Sequence, residues 1–197
     1  VLRRPPLGPL APTAHDMSRE YKVLSVLYKK FPYAPQALHL CEDQEIIGSP
    51  FFKMERKIGT VIRKKLPKTF YKQHNGPALI SEKLIKTLAE FHMVDYCEIG
   101  LNDLGKPSGF VERQVNGWKK RWDNAKHEDL DSVEKIYTWL IKHIPNNNQF
   151  SIVHNDYKLD NVMFDNNDPE KIIAIFDWDM CTLGDPLCDV GSLLSYW

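Results

Sequence analysis

At 197 residues the chain is long enough to bury a sizeable core, as one domain or one divided into two lobes. Its 26 basic and 26 acidic residues cancel, so it offers no electrostatic footprint for nucleic acid or an anionic membrane surface. A charged fraction of 26% beside 43% hydrophobic residues is a globular mixture rather than a disordered one. Four cysteines (Cys41, Cys97, Cys181, Cys188) fall at no C-x-x-C spacing, which favours a reduced intracellular protein over a disulfide scaffold. No signal peptide is visible, and no apolar run approaches the roughly 20 residues that span a bilayer. The first residue is Val1 rather than Met, so the sequence reads as part of a longer chain.

Val1–Arg4 reads as the tail of a strand stopped by Pro5-Pro6, and a loop rich in Pro, Gly and Ala continues to Thr13. Tyr21, Leu24, Leu27, Tyr28 and Phe31 then recur at helical spacing, with Asp16 or Ser18 as the cap. Ala37–Cys41 and Pro50–Met54 read as strands flanking a turn at Glu42–Gly48, and the second runs into Glu55, Arg56 and Lys57. From Gly59 the chain is expected to turn helical. Leu79, Ile80, Leu84, Ile85, Leu88 and Phe91 form one apolar face, which points His92 towards the core as a hydrogen-bonded histidine rather than a ligand. Phe110–Asn124 and Leu130–Ile144 are two further helices, the second capped by Asp129 or Asp131. Trp118 and Trp122, one turn apart, are expected to pack, with an aromatic substrate wall as the lesser reading.

The informative stretch is Ser151–Asp179, SIVHNDYKLDNVMFDNNDPEKIIAIFDWD. Phe150–Val153 reads as a buried strand delivering His154 and Asp156 to its end. Val162–Phe164 and Ile172–Phe176, separated by a polar turn, suggest a hairpin that returns Asp177 to the side of Asn161. Two carboxylates and an amide then converge, a donor set suited to Mg²⁺ held together with substrate phosphates. The spacing His154-x-Asp156-x-x-x-x-Asn161, with Asp177 21 residues after Asp156, is the one that phosphoryl transfer by a kinase-like site needs. The bland alternative is a hairpin with surface acids and a core histidine. Beyond it, Thr182–Asp185 reads as a turn, and Pro186–Trp197 as a helix with Pro at its first position.

HNDYKLDN and IFDWDMCTLGDPLCDVG resemble the aminoglycoside phosphotransferase family of small-molecule kinases. VLRRPPLGPL, SREYKVLSVL, CEDQEIIGSPFFKME and GLNDLGKPSGFVERQVNGWKKRW narrow the resemblance to the kinase-like domain of acyl-CoA dehydrogenase family members and their stand-alone relatives. It implies an α+β, protein-kinase-like two-lobed fold, with residues 1–57 a partial N-lobe and 58–197 a partial helical C-lobe. It implies ATP and Mg²⁺ as cofactors and transfer of the γ-phosphoryl group to a hydroxyl of a small acceptor, for which a hydroxylated acyl thioester is the best guess. Asp156 would be the base and Lys158 a cation for the migrating group. Asn161 and Asp177 would hold the metal, with Asp179 a weaker candidate.

Arg3, where relatives carry Lys, would contact the nucleotide phosphates and pair with Glu20, offering a planar fork in place of a point charge. A solvated helix acid is the alternative for Glu20. Met54, Glu55, Arg56 and Lys57 would form the connector whose main chain binds adenine. His154 would fasten the loop, and Asp185 and Asp189 would be structural, Asp189 bracing the catalytic loop. A fusion to an acyl-CoA dehydrogenase is the implied partner; cytoplasm, mitochondrion and peroxisome are not distinguished. Two rivals stand beside this reading. One is a non-catalytic nucleotide-binding or interaction module, since no glycine-rich phosphate loop lies within the sequence. The other is a metal-dependent hydrolase using His154, Asp156 and Asp177.

Overall fold

The computed structural model describes residues 1–8, 15–71 and 75–196, so the loop expected through Thr13 lies, beyond Gly8, outside the described residues, as does Trp197. Strands β1 (Leu2–Arg3), β2 (Ala37–Cys41) and β3 (Phe51–Met54) form an antiparallel sheet in the order β1-β3-β2, with Arg3 and Leu40 both opposite Phe52. Helix α1 (Met17–Leu27) packs near it and buries Met17, Val23, Leu24 and Leu27. Its cap is Asp16, whose carboxylate accepts from the Ser18 and Arg19 amides. The helix stops at Leu27; Phe31 is buried in the turn that follows, its amide still bonded to the Leu27 carbonyl.

The segment after Gly59 does not turn helical at once. It first forms β4 (Thr60–Val61), antiparallel to β6 (Val162–Phe164). Two residues carry no periodicity, and the pairing is set by the partner strand. Gly59 permits it, because a Cβ there would fall 2.3 Å from the Phe164 carbonyl oxygen. A single helical turn, α2 (Lys68–Tyr71), leads to α3 (Gly76–His92). Helix α3 buries Ile80, Leu84, Leu88 and Phe91 as its pattern requires, while Ile85 stays 47% exposed.

Helices α4 (Phe110–Ala125) and α5 (Asp131–Lys142) pack against each other. Neither Asp129 nor Asp131 caps α5: Leu130 holds the cap position and Asp131 is already helical. No residue of α5 is fully buried, and Trp118 is 60% exposed with the Arg121 guanidinium stacked on its ring at 4.0 Å. The packing role expected for Trp118 is therefore not seen. Trp118 and Trp122 instead line an open apolar groove of about 500 Å³ with Val133, Tyr137 and Leu140.

Strand β5 (Ser151–Val153) is buried throughout, and β6 forms the expected hairpin with β7 (Ile172–Ile175), Val162 opposite Ile175. Where a turn was expected, Thr182–Gly184 forms β8, paired with β5 through Ile152 and Leu183. Helix α6 (Leu187–Ser195) follows Pro186, which precedes the first helical residue. Phe31, Phe91 and Trp178 form an aromatic chain in the core (centroids 5.3 and 5.2 Å apart), and Trp178 lies against the His154 ring at 4.7 Å. The loop after β5 is thus seated on the core. Among the described residues no helix is long and apolar enough to cross a membrane.

Candidate active site

The loop after β5 is fixed by groups that never reach solvent. His154 is fully buried; its Nε2 donates to the Phe176 carbonyl at 2.9 Å and its Nδ1 accepts the Asp156 amide at 3.3 Å. Those two bonds select the neutral Nε2–H tautomer, and burial pushes the His154 pKa below its ordinary value. With both nitrogens committed to main chain, the ring serves as a fastener between the two halves of the site. Asp189, also fully buried, reaches the same loop from α6. Its Oδ2 accepts from the His154 amide (2.8 Å) and from His92 Nε2 (2.9 Å), and its Oδ1 from the Asn155 amide (2.7 Å). Asn155 takes a left-handed backbone (φ 63°), a conformation asparagine tolerates better than most residues, and its side-chain amide donates to the Met180 carbonyl.

This frame presents Asp156. One carboxylate oxygen accepts from Lys158 Nζ at 2.7 Å and the other from Asn161 Nδ2 at 2.8 Å, which also bonds the Asp156 carbonyl. The hydrogen bond to Asp156 holds the Lys158 ammonium pKa above its ordinary value, and the Tyr196 ring lies 4.8 Å from Nζ. Because the Asn161 amide is planar, committing its nitrogen to Asp156 turns its oxygen to the other side. The hairpin register joins the two motif halves: the Phe176 amide donates to the Asn161 carbonyl at 2.8 Å, so Asp177 follows next to it.

Asp177 is itself left-handed (φ 68°) and leads into a 3-10 turn, Trp178–Met180. Its Oδ1 accepts from Arg3 Nη2 at 2.8 Å, and Arg3 Nε bonds Glu20 at 3.1 Å. Glu20 is 2% exposed and paired, so it is not a solvated helix acid. Burial raises its pKa, the Arg3 charge working against that rise. Asp179 Oδ2 lies 3.0 Å from His15 Nδ1 at an angle too poor for a hydrogen bond. Burial, and then the Asp177 charge, push the Asp179 pKa upward.

Among the described residues, those expected to form the connector make no hydrogen bond or ion pair to the side chains of these two clusters. Met54 is bonded through both main-chain groups to Val1, and the Glu55 amide to the Gln36 carbonyl, while the Glu55 carboxylate pairs with Lys57 at 2.9 Å. Among the described residues, the main chain of Arg56 and Lys57 makes no such bond. Arg19 was not anticipated. Its Nη2 donates to the carbonyls of Leu104 (2.7 Å) and Cys181 (3.0 Å), tying the helix that carries Glu20 to the segment after Asp177. The available signal was a basic residue in the first turn of a helix, where the macrodipole disfavours it.

The donor set fits a magnesium ion that arrives with its nucleotide. Asn161 and Asp177 supply two oxygen-bearing groups, and the Asp177 side chain is 40% exposed. Among the described residues no group of three or more His, Cys, Asp or Glu could hold a metal without further ligands. Magnesium usually takes one or two carboxylates plus waters and phosphates.

Over all of residues 1–197 the sequence matches the profile of the phosphotransferase enzyme family. The chain belongs to that family. The chain is also similar to Mus musculus acyl-CoA dehydrogenase family member 10, 35% identical over 207 residues. All of the chain is matched there, but it spans only 18% of that protein. A solved Ralstonia eutropha JMP134 structure, classed with the aminoglycoside phosphotransferases, has a TM-score of 0.83 and 32% identity, covering the whole chain and 57% of that protein. Aminoglycoside phosphotransferase APH(4)-Ia, solved with ADP and hygromycin B, shares the fold at 15% identity (TM-score 0.62; 98% of this chain, 70% of that one). The α+β, kinase-like phosphotransferase fold expected from the sequence is the one observed.

Proposed function

We propose that the chain is the small-molecule kinase part of a larger protein, moving the γ-phosphoryl group of ATP to an acceptor hydroxyl. The observation that carries this reading is the Asp156 carboxylate, held between Lys158 and Asn161 at the end of a buried strand, with Asp177 brought alongside by the hairpin. A carboxylate so oriented can take the acceptor's proton as its oxygen bonds to the γ-phosphorus. The bond from that phosphorus to the bridging oxygen breaks and ADP leaves. Lys158 supplies a point cation for the transferring group. Asn161 and Asp177 would hold magnesium, which when bound neutralises charge on the phosphates. Arg3, positioned by Glu20, is assigned to the phosphates, and the free main-chain groups of Arg56 and Lys57 to adenine, with Met54 and Glu55 shaping the connector.

Residues 1–57 and 58–197 act in this reading as the two lobes around the nucleotide. The likeness to acyl-CoA dehydrogenase family member 10 supports a fusion to such an enzyme, and a hydroxylated acyl thioester as acceptor. Four free thiols agree with an intracellular setting. The hydrolase alternative is disfavoured because both nitrogens of His154 are spent on main chain.

The test is Asp156→Asn in the full-length protein, read by Mg·ATP affinity, thermal stability and phosphoryl transfer to hydroxylated acyl compounds. Turnover is expected to fall by roughly 10²–10⁴-fold with nucleotide affinity kept. Undiminished transfer in the variant would refute the base assignment. A wild type that binds Mg·ATP but phosphorylates none of a broad acceptor panel would favour the non-catalytic module.

A further inference from the structure

Beside Lys158 opens a cavity of about 350 Å³ with an apolar floor of Ile62, Leu159 and Leu193 and a rim that carries three basic residues. Arg63 and Lys64 enter it from the bend after β4, and Lys158 from the catalytic loop; Tyr196 and the exposed Asp160 complete its polar side. The bend is brought there by the β4–β6 pairing, which joins the chain after the connector to the hairpin below the loop. Lys22, Lys30, Lys86 and Lys119 each face a carboxylate, but among the described residues Arg63 and Lys64 make no ion pair. Lys158 is matched by Asp156, so the positive field at the cavity rests on Arg63 and Lys64 set against the single exposed carboxylate of Asp160. A solvated basic bend needs no cavity. This one shares a wall with the lysine that touches Asp156, 2.7 Å away.

We propose that this cavity receives an anionic group of the acceptor, a carboxylate or a phosphate, and thereby brings the acceptor's hydroxyl to Asp156. The inference rests on the phosphotransferase reading and adds a substrate class to it. An anion suits the site twice over: Arg63 offers a planar fork for two oxygens and Lys64 a point charge. A polycationic acceptor would meet like charge.

The experiment uses the full-length protein saturated with Mg²⁺ and a non-hydrolysable ATP analogue, so that the nucleotide site is filled. Binding of 3-hydroxybutyryl-coenzyme A, free 3-hydroxybutyrate and its neutral methyl ester is measured by calorimetry for wild type, Arg63→Gln/Lys64→Gln and the charge-keeping swap Arg63→Lys/Lys64→Arg. At least one anionic compound is expected to bind more tightly than the ester and to lose about tenfold or more in the neutralised variant, with the swap retaining most of it. Response of the thioester alone assigns the wall to phosphates; response of the free acid assigns it to a carboxylate. Equal binding of ester and anions, or no change in the neutralised variant, would overturn the inference. Failure of the nucleotide analogue itself to bind would instead strike the phosphotransferase reading, and is visible before any acceptor is added.

Discussion

Arg3 Nη2 donates to Asp177 Oδ1 at 2.8 Å across 174 residues of sequence, and the same guanidinium holds Glu20 through Nε. A lysine has a single nitrogen to offer, whereas the fork serves two carboxylates from two directions. Removing it strands Glu20, buried at 2% exposure, with no counter-charge.

Arg3→Ala is therefore expected to cost about 2–3 kcal/mol of stability. That is below the roughly 3–5 kcal/mol of a fully buried pair broken from one side, because Arg3 is itself about a third exposed. Arg3→Ala/Glu20→Gln should recover most of the loss, since no buried charge remains. Urea denaturation of the three proteins checks both statements. Nucleotide affinity should fall by about 1–3 kcal/mol in both variants, the scale of a charge-assisted hydrogen bond.

Asp177→Ala separates the two tasks of that carboxylate. Wild type should bind ATP more tightly with Mg²⁺ than without, and the variant should show no such difference. Calorimetry with and without EDTA measures this directly; a variant that keeps the full metal dependence would remove Asp177 from the ligand set.

Asp189→Ala leaves the buried His154 amide, and the half-buried Asn155 amide and His92 ring, without their acceptor. A loss on the order of 3 kcal/mol is expected. Hydrogen exchange should show the two loop amides exchanging far faster than the strand amides of β5. A variant with wild-type exchange at both positions would mean that the loop holds its shape without this carboxylate.

His154 gives the site a pH dependence of definite sign. Its folded pKa lies below the ordinary 6.5, so as pH falls through 6.5 the unfolded chain takes up a proton that the folded chain refuses. Stability contributed by the neutral ring is present above pH 6.5 and is lost below it, at about 1.4 kcal/mol per pH unit until the lowered folded pKa is reached. Glu20, whose folded pKa is raised, works the other way, its contribution declining as pH rises above its ordinary 4.5. The difference between wild type and His154→Gln isolates the histidine. That difference should hold nearly constant around pH 7.5 and shrink as pH falls from about 6.5 to 5.5 in urea titrations.

The sequence made the loop after β5 and the β6–β7 hairpin readable because their apolar runs are short, bounded by polar turns and followed at once by acids. It made α5 readable as a helix but not its exposure, since the stripe of Val133, Tyr137 and Leu140 says only that a face is apolar. Strands β4 and β8, two and three residues long, have no period to detect and exist through β6 and β5. The His92–Asp189 bond joins side chains 97 residues apart, and Arg19 works through carbonyls that any residue could supply. Neither partner choice leaves a mark in the local pattern.

The latch formed by Asp189 also sets an order of events at the ribosome. Synthesis runs from the N-terminus, so His154 and Asn155 leave the tunnel 35 and 34 residues ahead of the carboxylate that fixes them. Strand β5 likewise waits for β8. A nascent chain therefore displays every residue from His154 to Asp177 before the His154 and Asn155 amides have their acceptor. Translation stopped before Asp189 would release a polypeptide with the whole motif and without the carboxylate that braces its loop.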